Sequence, residues 1–213
     1  MSAKIGQIER ISERRDWRRA ARAILGLLGA LCLALTPLAL GACHGAATGP
    51  RDPGGPFTLV DFNGRPVDQN LLKGKWTLVF FGYTFCPDYC PTTLTMLGRT
   101  MDQLGPDKAG KTQVLFITVD PDRDTPKQLK MYLSSPAFPK NAIGLTGTPA
   151  QIAQAAKAYY AVYQKDGTGP NYTVDHTTVI YLMNPDGRFV KPIAEGLTPD
   201  EVAGQISAAM RGA

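Results

Sequence analysis

Two cysteines four positions apart are the residues of this chain best suited to chemistry. Cys86 and Cys90 lie in the run FFGYTFCPDYCP, directly after an apolar, β-rich segment. Thiols at this spacing can close a disulfide, exchange electrons with another disulfide, or bind a soft metal ion such as Cu(I). A structural bridge across so short a loop would remove little chain entropy. The pair therefore predicts a redox site or a metal site.

The prolines beside the thiols indicate where the next helix begins. Proline is tolerated in the first turn of a helix, where backbone N–H groups have no carbonyl partner. The helix is therefore expected to start near Cys90 or Pro91, with Cys86 in the loop before it. Both sulfurs would then lie at a helix N-terminus, whose partial positive charge favours thiolate over thiol.

A third donor is available in His176, which is the only histidine of the predicted folded domain. It directly precedes the apolar segment TTVIYLM, a predicted strand. Two thiolates and one imidazole suit a trigonal copper site, whereas structural zinc normally takes four protein ligands. A single histidine is more often an ordinary surface residue, so its role depends on the fold. The neighbouring Asp175 is expected to point to the opposite face of an extended segment.

The hydrophobic pattern predicts an α/β domain with a central mixed sheet flanked by helices. Continuous apolar runs predict buried central strands, and Asn63-Gly64 predicts the turn of a leading β-hairpin. Threonine–proline pairs predict helix N-termini. Together with a final hairpin and helix, this order indicates a thioredoxin-like fold with an added N-terminal hairpin. The predicted elements are strands 57–62, 76–81, 113–119, 177–183 and 188–193, helices 94–104 (ended by Gly105-Pro106), 125–134, 148–160 and 198–210, and a polar loop over 163–174.

An acidic turn follows the second central strand, at the sheet edge where functional groups gather in α/β folds. Asp120 to Asp124 (DPDRD) reads as a proline-stiffened turn and helix cap. It also fits a partner surface or a support for the metal ligands. Carboxylates are hard ligands, so they are not predicted to bind Cu(I) directly.

The N-terminus has the layout of an export signal. Basic residues precede an uncharged apolar run from Ala23 to Ala42, and Leu40-Gly41-Ala42-Cys43 resembles the lipobox of bacterial lipoproteins, with Cys43 as the lipid attachment site. The alternative is an uncleaved anchor helix, since the run is long enough to span a bilayer. Either would hold the domain on the extracytoplasmic face of a membrane. The predicted organisation is a signal peptide or membrane anchor over 1–42, a flexible tether over 43–56 and a folded domain over 57–213.

The net charge of +5 does not indicate a nucleic-acid-binding domain. The first 22 residues hold seven Lys/Arg and three Asp/Glu, so the remainder carries a surplus of only one positive charge. Nucleic-acid binding requires a basic face on the folded domain, and the sequence supplies none.

Four stretches in order resemble the Sco/SenC family of copper proteins: FFGYTFCPDYCP, VDPDRDTP, VDHTTVIYLM and NPDGRFV. The resemblance implies a thioredoxin-like fold and one copper ion per chain, as Cu(I) or Cu(II), bound by Cys86, Cys90 and His176. It also implies a role in assembling the dinuclear copper centre of cytochrome c oxidase. The implied partners are the copper-site subunit of that oxidase and, in the periplasm, other copper chaperones or thioredoxin-like reductants.

Three functions remain open on the sequence. The first is a metallochaperone. The second is a thiol-disulfide oxidoreductase with Cys86 and Cys90 as its catalytic pair, and the third is a thioredoxin-fold peroxidase. Ordinary thioredoxins carry a proline just before the strand equivalent to TTVIYLM, where this chain has Asp175-His176-Thr177. That difference favours a metal site.

Overall fold

A computed structural model describes residues 52–212 of the chain. The predicted signal or anchor over 1–42, the predicted lipid site Cys43 and the first part of the predicted tether lie outside the described residues. Within 52–212, none of the helices combines the length and apolar character needed to cross a bilayer. The last part of the predicted tether contacts the domain, since the Gly54 N–H donates to the Ala158 carbonyl at 2.8 Å.

The domain is built on a seven-stranded mixed sheet with the order β2-β1-β5-β4-β3-β8-β9. Strands β3, β4 and β5 run parallel, whereas β1, β2, β8 and β9 pair antiparallel to their neighbours. A separate two-stranded sheet contains β6 and β7. The strands are β1 (Thr58–Asp61), β2 (Pro66–Asp68), β3 (Trp76–Gly82), β4 (Thr112–Thr118), β5 (Ala142–Thr146), β6 (Tyr163–Asp166), β7 (Thr173–His176), β8 (Ile180–Met183) and β9 (Phe189–Ile193).

Among the described residues, four α-helices cover this sheet, so the predicted flanked mixed sheet with a leading hairpin is confirmed. All residues of β3 and β4 are buried, because helices and loops cover both faces of the central strands. The first helix packs against the last, and the second packs against β5. The helices are α1 (Tyr89–Gly110), α2 (Pro126–Leu133), α3 (Pro149–Ala158) and α4 (Pro199–Arg211), with a short 3₁₀ helix at Gln69–Leu72.

The threonine–proline pairs start three of the helices as predicted. Thr125, Thr148 and Thr198 are N-caps whose hydroxyl oxygens accept a backbone N–H from the first turn, at 3.2–3.3 Å. Proline follows each of them at the first helical position, where its missing N–H costs nothing. The boundaries of these helices differ from the predicted ones by at most two residues.

The predicted break of the first helix at Gly105-Pro106 is confirmed, but a second helical segment that was not predicted follows it directly. Helix α1 kinks there and continues to Gly110. Gly105 adopts φ +73° and ψ 165°, a conformation that is easy only for glycine, and Pro106 then occupies the first turn of the next helical segment. The pair therefore bends the helix and restarts it.

Strand β5 was not predicted. Its five residues are preceded by the polar Lys140-Asn141 and interrupted by Gly144, so its apolar pattern is weak. Gly144 is required by packing, since a Cβ there would lie 2.9 Å from a methyl carbon of Leu133 and 3.0 Å from Leu129 Cβ. The close approach of α2 to the sheet thus requires Gly144, and this glycine is the reason that the sequence pattern did not indicate a strand.

The polar loop predicted over 163–174 is wrong in part, because residues 163–166 and 173–174 are strand residues of the β6–β7 hairpin and only 167–172 form its connecting loop. The hairpin stands outside the main sheet and has little apolar surface to bury, so its composition resembles that of a loop. The strand predicted over 177–183 is correspondingly shorter and begins at Ile180. His176 is therefore the last residue of β7.

Candidate metal centre

Strand β3 delivers the two thiols to one edge of the sheet. The strand ends at Gly82, and residues 83–88 form the thiol loop, which contains Cys86. Helix α1 begins at Tyr89, so Cys90 and Pro91 lie in its first turn. The predicted helix start near Cys90 is confirmed to within one residue.

The fold brings Cys86, Cys90 and His176 together. One ligand atom from each of these residues lies within 4.8 Å of the other two. The Sγ of Cys90 lies 3.5 Å from the Nε2 of His176. Ligand bonds of about 2.0–2.3 Å place trigonal ligands about 4 Å apart, so a shift of less than about 1 Å would suit one bound ion. Residues 86 positions apart in sequence thus form a candidate metal centre.

The two thiols have very different environments. Cys86 is half-buried, and its sulfur accepts the N–H of Cys90 at 3.4 Å. The hydrogen bond from the Cys90 thiol, with backbone N–H groups of the first helical turn, lowers the pKa of Cys86 to about 5. Cys90 is fully buried, and its hydrogen bond to Cys86 together with burial raises its pKa. At neutral pH the site therefore holds one half-buried thiolate and one fully buried thiol.

Backbone and aromatic contacts orient the imidazole of His176. Its Nδ1 lies 3.0 Å from the Thr177 carbonyl oxygen. A carbonyl can only accept, so Nδ1 carries the proton and a neutral ring leaves the Nε2 lone pair free to bind a metal. The rings of Phe80 and Tyr83 meet the imidazole edge-on, with centroids 6.2 and 5.8 Å away. The exposed Asp175 makes no hydrogen bond to the imidazole, in line with the predicted alternation along β7.

The acidic turn supports the thiol loop from behind. Asp124 is fully buried and accepts three hydrogen bonds, from the Thr84 N–H at 3.0 Å and from the hydroxyls of Thr84 and Thr118 at 2.6 Å each. Burial raises the pKa of Asp124, although these hydrogen bonds oppose the shift. The turn thus also acts as a support for the site, because Thr84 is two residues from Cys86.

Sequence reasoning missed Gly82 as a residue of the site. A Cβ at this position would lie 2.8 Å from the Sγ of Cys90 and 2.8 Å from the ring of Phe116. The buried thiol therefore packs directly against the strand backbone. The only sequence signal was a glycine at the end of an otherwise apolar strand, which can mark a close approach.

Sequence reasoning also missed the aromatic contacts of Arg123. Its guanidinium carbon lies 3.6 Å from the ring centroid of Tyr172 and 4.7 Å from that of Phe85. Tyr172 belongs to the segment predicted as a loop, so its pairing with the acidic turn could not be read from local sequence.

Comparisons with known proteins agree with this geometry. The SCO1/SenC family model matches residues 45–211. The mitochondrial protein SCO2 of Saccharomyces cerevisiae is 42% identical over 154 residues, which cover 71% of this chain and 50% of that protein. The chain spans between 44% and 56% of the length of three of the curated relatives it matches.

Solved structures extend the similarity to three dimensions. The structure of Bradyrhizobium japonicum ScoI with copper bound is 47% identical with a TM-score of 0.67, covering 73% of this chain and 98% of that chain. A structure that identifies a disulfide switch in BsSco, a member of the Sco family of cytochrome c oxidase assembly proteins, is 28% identical with a TM-score of 0.57. It covers 74% of this chain and 93% of that chain. The thioredoxin-like fold is confirmed, and this chain belongs to the SCO1/SenC family.

Proposed function

We propose that this protein is a copper carrier that binds one copper ion through Cys86, Cys90 and His176 and passes it to another protein. The observation that carries the proposal is the convergence of two sulfurs and one imidazole nitrogen within 4.8 Å. Soft thiolates favour copper, and three ligands of this kind suit its trigonal geometry. Within residues 52–212, this triad is the one group of three or more His, Cys, Asp and Glu side chains positioned to hold a metal ion.

The site is suited to taking up and releasing a metal ion. Cys86 is already a thiolate at neutral pH and is accessible from solvent. Cys90 must give up its proton to become a ligand, which couples copper binding to proton release. An incoming protein ligand would reach the ion from the side of Cys86, because Cys86 is partly exposed whereas Cys90 is buried. Copper can therefore be transferred by stepwise ligand exchange without unfolding of the domain.

The proposed receiver is the copper-site subunit of cytochrome c oxidase. The copper would be inserted into the dinuclear centre of that subunit. Support comes from the family itself and from the similarity to BsSco, a member of the Sco family of cytochrome c oxidase assembly proteins. Other periplasmic copper chaperones or thioredoxin-like reductants are proposed to load or reduce the site. The basic and apolar N-terminus supports a location on the periplasmic side of a bacterial membrane, with lipid attachment at Cys43 or an uncleaved anchor.

Copper titration of the reduced full chain tests the metal site. We expect one Cu(I) per chain, and we expect His176→Ala to weaken binding by at least about a hundredfold, because losing even a residue that hydrogen-bonds to a ligand can cost that much. Asp175→Ala is the matched control, because this neighbour is exposed and points away from the sulfurs. Unchanged affinity in His176→Ala would remove the histidine from the site.

Oxidase activity in cells tests the receiver and the anchoring. Chains carrying Cys86→Ser, Cys90→Ser or His176→Ala should each fail to support formation of the dinuclear copper centre. Normal oxidase activity with all three variants would contradict the proposed receiver. Cys43→Ser should release the protein from membranes if the lipid is the anchor, whereas retention would favour an uncleaved helix.

A second candidate function is thiol-disulfide exchange with the cysteines of the partner's copper site. The lowered pKa of Cys86 favours it, since thiolate is the attacking species. The Cys86 thiolate would attack a disulfide of the partner and form a mixed disulfide, releasing one partner thiolate. Cys90 would then lose its proton and attack the Cys86 sulfur. The partner would leave as a dithiol with two electrons gained, and this chain would hold the Cys86–Cys90 disulfide.

Exchange kinetics separate the two functions. Reduction of a model disulfide should require both cysteines and should survive His176→Ala, because the imidazole takes no part in sulfur exchange. Rapid exchange by His176→Ala with loss of oxidase assembly would assign the essential role to copper. Slow exchange by the unaltered protein would contradict the reductant function.

A further inference from the structure

A cluster of charged and aromatic side chains joins the two parts of the molecule that carry the metal ligands. We call Asp120, Arg123, Phe85 and Tyr172 the arginine clamp. Phe85 lies in the thiol loop next to Cys86, Asp120 and Arg123 belong to the acidic turn, and Tyr172 precedes β7 on the hairpin. Arg123 contacts all three segments.

Arg123 is bound on several sides. Its Nε forms an ion pair with Asp120, and its Nη1 donates to the backbone carbonyls of Tyr172 at 3.1 Å and Pro170 at 3.3 Å. Its planar guanidinium lies over the ring of Tyr172, with Phe85 4.7 Å from the guanidinium carbon. The Tyr172 hydroxyl donates to Asp120 at 2.5 Å, which closes the network.

The ion pair of the clamp is shielded from water, so it is stronger than an ion pair on the surface. The side chains of Arg123 and Asp120 are 15% and 4% exposed. Charge-assisted hydrogen bonds and cation–π contacts gain strength when they are desolvated. The exposed Phe85, at 52%, lies on the guanidinium instead of in the core, which ties the loop next to Cys86 to the hairpin.

Few other contacts hold the hairpin in place. Strand β7 pairs only with β6, and neither strand joins the main sheet. Near the site, the Val174 N–H donates to the Tyr83 hydroxyl at 3.3 Å, and the side chains of Val174 and Tyr172 are buried against the core. The backbone bond from Thr177 to Val162 at 2.9 Å lies at the base of the hairpin itself. The position of His176 relative to the sulfurs therefore depends strongly on the clamp.

We propose that Arg123 is a positioning residue that holds the β6–β7 hairpin against the thiol loop and so keeps His176 Nε2 in reach of the metal. The inference rests on the proposed copper-binding function. It assigns to Arg123 and Tyr172 control over one ligand out of three. Opening of the clamp would withdraw the histidine and leave copper on the two thiolates, ready for transfer.

The direct test is Arg123→Gln in the full chain, with Arg188→Gln as the matched control. Arg188 also forms an ion pair with an aspartate, but it lies on the exposed turn at the far end of β8 from His176. We expect Arg123→Gln to keep one copper per chain and to weaken binding about tenfold, as loss of a charge-assisted hydrogen bond predicts. Wild-type affinity and release rate in Arg123→Gln would overturn the proposal.

A double-mutant cycle shows whether Arg123 acts through the histidine. In the His176→Ala background, Arg123→Gln should cause no further loss of copper affinity, because the ligand that it positions is already gone. An equal loss in both backgrounds would mean that Arg123 supports the thiols or the whole fold, and the proposal would fail. The nitrogen coupling in the Cu(II) spectrum should weaken in Arg123→Gln and persist in Arg188→Gln.

Amide hydrogen exchange of the metal-free protein tests the hairpin independently of copper. In Arg123→Gln, residues 163–166 and 173–176 should exchange faster, while β3 keeps wild-type protection. Unchanged exchange in the hairpin would overturn the proposal. This measurement retains its meaning even when the unaltered chain binds no copper, an outcome that would sink the proposed function instead.

A conservative variant covers the case in which Arg123→Gln does not fold. Tyr172→Phe keeps the ring under the guanidinium and removes only the hydroxyl that donates to Asp120. Tyr172→Phe should weaken copper binding about threefold, because one hydrogen bond from a neutral donor is lost. This loss should occur only when His176 is present. The same change with and without His176, or no change at all, would contradict the clamp.

Discussion

The two arms that carry the proposed metal ligands differ in how firmly the fold holds them. The thiol arm consists of β3, the thiol loop and the first turn of α1, and it supplies Cys86 and Cys90. The histidine arm is the β6–β7 hairpin, and it supplies His176. Strand β3 is hydrogen-bonded to a strand on each side and is buried throughout, whereas the hairpin forms its own small sheet.

This difference would let the thiol arm provide most of the copper affinity while the histidine arm controls copper release. Two of the proposed ligands are attached to a rigid frame, the buried central strand β3 with its neighbouring strands. The third lies on a hairpin whose strand β6 is largely exposed, which is the kind of region that opens at low free-energy cost. A carrier benefits from this division, since it can loosen one ligand without disturbing the other two.

The largest expected effect is a loss of stability in Asp124→Ala, which removes the support of the thiol arm. The change leaves the Thr84 N–H and the hydroxyls of Thr84 and Thr118 without their acceptor. We expect the free energy of unfolding to fall by about 3 kcal/mol. Denaturant unfolding of the metal-free protein measures it. The control is Asp122→Ala, an exposed residue of the same turn, which should change stability by less than about 0.5 kcal/mol.

The second prediction concerns the reactivity of the thiols. With the pKa of Cys86 lowered to about 5, its thiolate fraction rises with pH through that value and is complete by about pH 7. Alkylation of the reduced metal-free protein at pH 7 should label Cys86 at least about a hundredfold faster than the buried Cys90. Peptide mass mapping distinguishes the two sites. Equal labelling of Cys86 and Cys90 would show that Cys90 becomes accessible readily, so the thiol arm would not be the firmly held one.

A smaller effect is expected from Gly82→Ala, which tests the close approach of Cys90 to β3. The new methyl group overlaps the Sγ of Cys90 and the ring of Phe116, so we expect a loss of about 2 kcal/mol and weaker copper binding. Gly204→Ala is the matched control. It lies on α4 with no atom within 4 Å of the new Cβ, so it should stabilise the protein by up to about 1 kcal/mol. Unchanged stability and copper binding in Gly82→Ala would mean that β3 shifts to accommodate the new methyl group and is less rigid than proposed.

The smallest effect is expected from Thr177→Val at the base of the histidine arm. The Thr177 hydroxyl accepts the N–H of the exposed Val162 at 2.9 Å, and water can replace it. Global stability should fall by about 0.5 kcal/mol, while amide exchange within the hairpin rises measurably. Thr178→Val, whose hydroxyl meets the exposed Glu195, should leave hairpin exchange unchanged. A large global loss would show that the histidine arm is part of the rigid frame.

Local sequence predicted the thiol arm well because its determinants are close together in the chain. The apolar run before Cys86 specifies a buried strand, and Pro91 restricts where the helix can begin. The same reasoning located the break at Gly105-Pro106 but not the helical segment that follows it to Gly110. Whether a new helix begins after such a pair depends on what the next residues pack against, which no local pattern records.

The histidine arm was predicted poorly for the opposite reason. Strand β6 is largely exposed and only Tyr172 and Val174 of this segment are buried, so residues 163–174 carry too short an alternating signal to distinguish a strand from a loop. The contacts that hold it, from Arg123 to Tyr172 and from Tyr83 to Val174, join residues 49 and 91 positions apart. Long-range contacts of this kind depend on the folded arrangement.

The amino-acid sequence by itself determined which atoms could bind the metal, since the types of Cys86, Cys90 and His176 and the helix start are local properties. Only the tertiary structure decided that these atoms meet and how tightly each is held. The reason is physical: ligand chemistry resides in single side chains, whereas distance and rigidity arise from packing and hydrogen bonds between segments remote in the chain.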